Sequence, residues 1–235
     1  MAISSTDALE LLRGGAVTVK GRMPWASNVT LLAEVERDGA CVRAIYKPGR
    51  GERPLWDFPS CLYKREEAAY LFSEALGWGL VPPTIVREGP LGEGSFQLFV
   101  EAEFEQHWFT MREDPAHRER LQKICVFDFV ANNADRKSGH CLLGPDNLIY
   151  AIDNGLTFHT ELKLRTVIWD YAGETIPKGM VEDLKSFVKD GLRSPLAEIL
   201  ASDEQQALLV RAQALADYAR FPEDQSGHRY PWPLV

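Results

Sequence analysis

The feature that most constrains the fold is an apolar run that ends in a polar loop and leads into a short hairpin. The apolar residues 124–131 predict the end of a buried helix, and residues 132–140 form the polar loop. Residues 141–143 and 148–152 have the pattern of two strands, joined by Gly144-Pro145-Asp146-Asn147, which is typical of a tight turn. Such a hairpin brings the residues before and after it close together.

Two carboxylates, Asp135 and Asp153, lie at the two ends of this hairpin, and the turn folds them towards each other. Such a pair suits a site in which one carboxylate handles a hydroxyl proton and the other holds a metal on a phosphate. Arg136 and Lys137 add positive charge beside the pair, which favours a site. The alternative is structural, with Asp135 capping a turn and Asp153-Asn154-Gly155 acting only as a turn sequence.

The first hundred residues predict an antiparallel sheet with one helix. Residues 16–46 contain strands in which apolar and polar side chains alternate, and Asp38-Gly39 is a strong hairpin turn. A helix at 64–76 has apolar residues at helical spacing, and two strands at 84–87 and 94–100 follow it. The rest of the chain predicts mostly helices, at 116–132, 181–191, 195–201 and 204–221.

We therefore predict an α+β fold with two lobes. Residues 1–102 form the lobe with the antiparallel sheet and one helix, and residues 103–235 form a mostly helical lobe. Phe99, Val100 and Glu101 lie at the junction. Backbone groups at such a junction can meet the edge of an adenine ring, because ligand clefts often use backbone donors and acceptors in this way.

Lys47 ends the last strand of the region 16–46 and is followed by Pro48. A lysine at this position can reach between two lobes and pair with a phosphate, or it can be an ordinary edge-strand lysine in solvent. Glu66 lies at the margin of the apolar helix face, where it can pair with Lys47 or act electrostatically at the helix N-terminus. The loop 21–28 carries Ser27, and it is either a phosphate-binding loop or a plain hairpin connection.

Composition narrows the classes of function. The net charge is −8, with 34 acidic and 26 basic residues, which disfavours broad binding to nucleic acid or to an anionic membrane surface. No apolar run approaches the length of a membrane span. Four cysteines at irregular spacing predict free thiols and a cytoplasmic protein rather than a disulfide or zinc framework. None of these features indicates the oligomeric state.

Four motifs occur in an order typical of kinases: IYKP around Lys47, REEAAYLFSEALGWGLVPPT at 65–84, NADRKSGH at 133–140 and AIDNGLTF at 151–158. Together they resemble the phosphatidylinositol 3-/4-kinase-like superfamily, in particular a compact actinobacterial branch of it, and more loosely HipA-type kinases. The resemblance covers roughly residues 17–158. It implies a two-lobed, protein-kinase-like fold that binds ATP together with Mg²⁺ or Mn²⁺.

The resemblance also implies roles for single residues. Lys47 contacts the ATP phosphates, and Glu66 pairs with Lys47. Asp135 accepts the proton of the acceptor hydroxyl or orients that hydroxyl, and Asp153 holds magnesium on the β- and γ-phosphates. Ser27 is the best candidate within the loop that covers the phosphates.

One position departs from the pattern of these kinases. They place an asparagine after the catalytic aspartate as a second metal ligand, and this chain has His140 there. Magnesium prefers oxygen ligands, and imidazole suits softer metals. His140 therefore binds manganese, acts only through a hydrogen bond, marks a site that binds nucleotide but transfers poorly, or is satisfied by the local backbone.

These observations predict an ATP-dependent phosphotransferase that acts on an unidentified hydroxyl acceptor. A small molecule or a protein is favoured over a lipid as that acceptor, because the chain is acidic. The alternatives are a nucleotide-binding pseudokinase that acts as a regulatory module, a nucleotidyl transferase on the same fold, and a non-catalytic interaction protein.

Overall fold

The computed structural model describes residues 3–24, 28–103 and 105–235, which form an α+β fold, as predicted. The strands are β1 (Ala16–Arg22), β2 (Leu31–Arg37), β3 (Ala40–Pro48), β4 (Thr84–Gly89), β5 (Gly92–Leu98), β6 (Cys141–Leu143) and β7 (Ile149–Ala151). The helices are α1 (Ser5–Gly14), α2 (Leu62–Ala75), α3 (Trp108–Met111), α4 (Arg118–Ala131), α5 (Lys178–Asp190), α6 (Leu196–Ile199) and α7 (Ser202–Tyr218).

The first five strands form one antiparallel sheet in the order β1-β2-β3-β5-β4. Asp38 and Gly39 connect β2 to β3 with φ angles of 53° and 79°, which are the left-handed values that a two-residue hairpin turn requires. Because β3 lies in the middle of this sheet, its last residues are held on both sides. Lys47 pairs with Ser95 of β5 in this register.

One face of the sheet packs against α1. Tyr46 and Phe96 are fully buried on this face, and their rings stack with centroids 4.2 Å apart. Leu12 of α1 belongs to the same hydrophobic cluster. Side chains alternate along a strand, so Lys47, which follows Tyr46, points away from this core.

A second and larger hydrophobic cluster lies among the helices, and α2 belongs to it. Phe72 of α2 contacts the rings of Phe127 and Phe187, with centroids 5.2 Å and 5.1 Å away, and meets Phe158 edge-on at 6.1 Å. Helix α2 is thus packed as part of the helical core, although it lies in the chain between two strands of the sheet. The division of the chain at residues 102 and 103 stays a prediction.

Side chains cap two of the helices. Ser4 caps α1, because its hydroxyl accepts a hydrogen bond from the amide of Asp7. The start of α7 is capped by Glu204, whose carboxylate accepts the amide hydrogen of Ala201 at 3.0 Å. The short helix α3 lies between β5 and α4.

The C-terminal residues pack beside the polar loop. The carbonyl of Leu234 accepts a hydrogen bond from the amide of Ser138 at 2.8 Å, and that of Arg229 accepts one from the amide of Thr166 at 3.1 Å. The four cysteines are all free thiols. Within the described ranges, no helix has the length and apolar character needed to cross a membrane.

Substitution of Gly94 tests how closely β5 approaches β3. A Cβ at this position would lie 2.4 Å from the carbonyl oxygen of Lys47, whereas one at Gly21 of β1 would meet nothing within 4 Å. We expect Gly94→Ala to lower the free energy of unfolding by about 1–3 kcal/mol. Gly21→Ala should change it by about 0.5 kcal/mol or less. Urea denaturation measures both, and equal effects would contradict the pairing of Gly94 with the end of β3.

Candidate active site

Lys47 is the centre of the candidate site. Its ammonium group contacts Glu66 Oε1, and it donates a hydrogen bond to Asp153 Oδ1 at 2.6 Å. Burial opposes the charge on Lys47, but Asp153 and Glu66 outweigh that effect and raise the pKa of the lysine well above its usual value. The lysine therefore stays cationic, and the alternative of a solvent-exposed edge lysine is wrong.

Glu66 connects α2 to the chain that follows β7. The residue is 3% exposed, and its second oxygen accepts the backbone hydrogen of Asn154 at 2.9 Å. One carboxylate therefore satisfies both Lys47 and the segment next to Asp153. The sequence placed Glu66 at the margin of the apolar helix face, and the structure buries it at the contact with Lys47.

Asp153 follows β7 with a φ angle of 58°, in the left-handed region. Lys47, as the largest influence, holds the pKa of Asp153 well below its usual range, against the opposing effect of burial. About half of its side chain remains exposed, so the carboxylate is ionised and still accessible. An ionised and accessible carboxylate of this kind can bind a cation.

Asp135 lies in the polar loop after α4. Its amide donates to the side chain of Asn133 at 2.9 Å, and its carboxylate lies 3.2 Å from the ammonium of Lys137. Burial raises the pKa of Asp135 despite the opposing effect of Lys137, and the charge of Asp153 raises it further. The charge of Asp153 thus acts on Asp135 in the same direction as burial.

His140 also lies at this site, in a short 3-10 turn, Ser138–His140, that leads directly into β6. Its Nδ1 accepts the amide hydrogen of Lys137 at 3.3 Å, which assigns the ring proton to Nε2. Nε2 lies 3.4 Å from Asp153 Oδ2 and faces it. Burial lowers the pKa of His140 to about 4, so the ring is neutral at pH 7.

Sequence analysis missed a buried ion pair beneath the site. Asp128 of α4 and Arg136 are both fully buried, and Arg136 donates to both carboxylate oxygens of Asp128 at 2.9 Å. The same guanidinium donates to the carbonyl of Ile152 and to the side chain of Asn154, each at 2.6 Å. A single acidic residue within the apolar run 124–131 was the available signal, because a charge in such a run needs a buried partner.

The predicted adenine-binding residues line a separate part of the structure. Phe99, Val100 and Glu101 border a cavity of about 1160 Å³ at the end of β5. Arg43 of β3 pairs with Glu101, and its guanidinium lies 4.8 Å from the centre of the Phe99 ring. The amide of Phe99 donates to the carbonyl of Arg43 at 3.0 Å, which ties this segment to the strand that carries Lys47.

Lys47, Glu66, Asp153 and His140 thus form one cluster with Asp135 at its side, and Phe99, Val100 and Glu101 lie along the cavity. Ser27, the predicted phosphate-loop residue, lies outside the described residues. Across the parts of the chain that the structure describes, no three His, Cys, Asp or Glu side chains are grouped so that they alone could hold a metal ion. The carboxylate of Asp153, with that of Asp135 at its side, still fits magnesium. This ion commonly takes one or two protein carboxylates and completes its shell with phosphate and water.

The fold is protein-kinase-like. The chain is similar to hydra Fam20 solved with sugar, with a TM-score of 0.61 and 14% identity over 91% of this chain and 87% of that one. The Golgi casein kinase with Mn/ADP bound gives 0.60 and 16%, covering 98% and 80% of the two chains. The Helicobacter pylori proinflammatory kinase CtkA gives 0.54 and 12%, covering 88% and 93%. At these identities the likeness concerns the fold.

The chain belongs to the same family as Protein Rv2133c of Mycobacterium tuberculosis. The two sequences are 40% identical over 97% of this chain and 95% of the relative. No family model matches the chain.

Substitution of Arg136 tests the buried ion pair. Arg136→Met leaves the Asp128 carboxylate buried without its partner, so we expect a loss of about 3–5 kcal/mol in the free energy of unfolding. The control is Arg112→Met, which removes a partly exposed pair with Asp170 and should cost about 1 kcal/mol or less. Urea denaturation measures both losses. A loss for Arg136→Met as small as that of the control would show that the pair does not support the loop.

The buried, neutral ring of His140 predicts a pH dependence of stability. Its pKa is about 4 in the folded state and about 6.5 in an unfolded chain, so its contribution is complete above pH 6.5 and is lost as the pH falls towards 4. We expect wild-type protein to lose more stability than His140→Asn over this range. Urea unfolding at several pH values measures the difference, and parallel curves would contradict a buried, neutral His140.

Proposed function

We propose that this protein is an ATP-dependent phosphotransferase that acts on a hydroxyl acceptor. One observation carries the proposal: a lysine of the sheet contacts a buried glutamate of α2 and an ionised aspartate beyond the hairpin, with Asp135 close by. The arrangement matches what phosphate transfer from ATP requires, namely a fixed cation, a carboxylate for a metal and a carboxylate for the acceptor proton. The order of the motifs further supports placement near the phosphatidylinositol 3-/4-kinase-like and HipA-type kinases.

Each residue has a distinct task in this proposal. Glu66 holds Lys47 in place, and Lys47 binds and orients the phosphates of ATP. Asp135, whose pKa is raised by burial, takes the proton of the acceptor hydroxyl. The acceptor oxygen forms a bond to the γ-phosphorus as the bond between that phosphorus and the bridging oxygen breaks, and ADP leaves. Catalysis by these groups is mainly positioning and stabilisation of charge.

Asp153 would hold the divalent metal. The carboxylate is ionised and half-exposed, which suits Mg²⁺ or Mn²⁺ shared with the phosphates of ATP. When bound, such an ion neutralises charge on the β- and γ-phosphates. With its proton on Nε2, His140 would support Asp153 through the approach of that nitrogen to Oδ2, at 3.4 Å.

We place the adenine at the segment Phe99, Val100 and Glu101, whose backbone is linked to β3 through Arg43. The loop that carries Ser27 would cover the phosphates. The net charge of −8 favours a hydroxyl on a small molecule or a protein over one in an anionic lipid surface. The free thiols agree with the predicted reducing, cytoplasmic compartment.

A second candidate is a protein that binds nucleotide without transferring phosphate. The observation that favours it is the Nε2 proton of His140, which faces Asp153 where the kinases that the sequence resembles have an asparagine ligand. In this case the cluster around Lys47 serves as a nucleotide-dependent regulatory module.

Turnover of ATP tests the proposal. We expect wild-type protein to consume ATP with Mg²⁺ or Mn²⁺ and a hydroxylated acceptor, and Lys47→Met, Asp135→Asn and Asp153→Asn to lose about 10²–10⁴-fold in turnover. Two matched controls should keep wild-type turnover. Asp217→Asn changes an exposed carboxylate of α7 that accepts a hydrogen bond from Gln213, and Lys20→Met changes a lysine of the same sheet that pairs with Glu34.

Binding of ATP, measured as a shift in thermal unfolding, separates the candidates. A shift without turnover for any acceptor or metal would favour the second candidate over the first. The absence of a shift, together with wild-type behaviour of Lys47→Met, would overturn both. A product that carries AMP would indicate nucleotidyl transfer.

A further inference from the structure

Arg65 immediately precedes Glu66 on α2 and is 5% exposed. Its Nη1 donates to the carbonyl of Thr157, and its Nη2 pairs with the carboxylate of Glu204 on α7. A buried arginine is rare unless its charge is paired, and both of these contacts cross to a distant part of the chain. Arg65 thus joins α2 to two elements of the helical part at once.

Arg65 and Glu66 hold the same short segment, residues 154–157. Glu66 accepts the amide hydrogen of Asn154 at 2.9 Å, and the hydroxyl of Thr157 donates to the carbonyl of Asn154 at 2.7 Å. Arg65 binds the carbonyl of that same Thr157. Two adjacent side chains of α2 are therefore fastened to both ends of the segment that directly follows Asp153.

Side chains from elsewhere in the chain hold the first turns of α2. Cys61, the residue before the helix, provides no side-chain cap, and Glu52 accepts the amide hydrogen of Tyr63 at 2.7 Å. A cavity of about 470 Å³ lies beside this end, between Lys64, His159 and the start of α7. The phenylalanine packing of α2 lies farther along, at Phe72. Arg65 is thus a buried link directly beside Glu66.

We propose that Arg65, with Glu204, is a positioning residue that fixes the first turns of α2 so that Glu66 meets Lys47. The pair sets the geometry of the site without touching substrate. Its effect on catalysis rests on the proposed function, whereas its effect on the placement of α2 does not. A purely structural arginine would instead add to global stability without a specific effect on Glu66.

Hydrogen–deuterium exchange in the absence of nucleotide tests the placement. We expect Arg65→Met and Glu204→Gln to speed exchange about tenfold or more in residues 62–70 and 154–159, and Arg65→Lys to restore part of the protection. The matched control is Arg211→Met. Arg211 lies on α7 and donates to the carbonyls of Val130 and His159, neither of which is in α2. Arg211→Met should leave hydrogen exchange in residues 62–70 at the wild-type rate.

Equal exchange in residues 62–70 for Arg65→Met and Arg211→Met, at equal loss of thermal stability, would overturn the proposal. Unchanged exchange in Arg65→Met would overturn it as well. Because no nucleotide or turnover enters this measurement, it decides the role of Arg65 even for a protein that does not transfer phosphate.

A double-mutant cycle tests the catalytic consequence. We expect Arg65→Met to lower turnover by roughly 100-fold in the wild-type background. It should lower turnover little further in a Glu66→Gln background, because both changes act on the same contact. Fully additive losses would show that Arg65 does not act through Glu66. If wild-type protein shows no turnover, the proposed function fails, and the exchange experiment alone decides the placement of α2.

Discussion

The buried ion pair between Asp128 and Arg136 holds together the three segments from which the candidate site is built. Asp128 belongs to the helix before the polar loop, Arg136 follows Asp135 within that loop, and the guanidinium also reaches the carbonyl of Ile152 and the side chain of Asn154 beyond the hairpin. Because both charged groups are fully buried, a conformation of the chain that separates them would leave each charge without a partner and would be strongly disfavoured. The spacing of Asp135 and Asp153 follows from this contact.

The cluster around Lys47 adds the sheet to that assembly. One lysine from β3 and one glutamate from α2 meet Asp153 in a single set of contacts, so three distant parts of the chain converge at the candidate site. The charges and the burial of these side chains then determine their protonation states. Lys47 stays cationic, Asp153 stays ionised, and burial raises the pKa of Asp135 above that of a free aspartate.

Turns and hairpins could be predicted from the sequence, whereas ion pairs between residues that are distant in the chain could not. The Asp38-Gly39 turn and the hairpin after α4 were predicted because turn residues and strand alternation act over a few positions. Lys47 was predicted as a site residue from its place at the end of a strand, and Asp135 and Asp153 from their places at the two ends of the hairpin. The partners of Asp128 and Arg65 were not, because a buried ion pair leaves no periodic signal along the chain.

Helix α2 shares its apolar core with the C-terminal helices, while Lys47 belongs to the sheet, whose core with α1 is separate. Because Tyr63 of α2 also donates a hydrogen bond to Glu93 of β5, this one helix is fastened to both the helices and the sheet. Glu66 is thus carried by the element that couples the two cores, and the approach of Lys47 to Asp153 depends on where that helix lies.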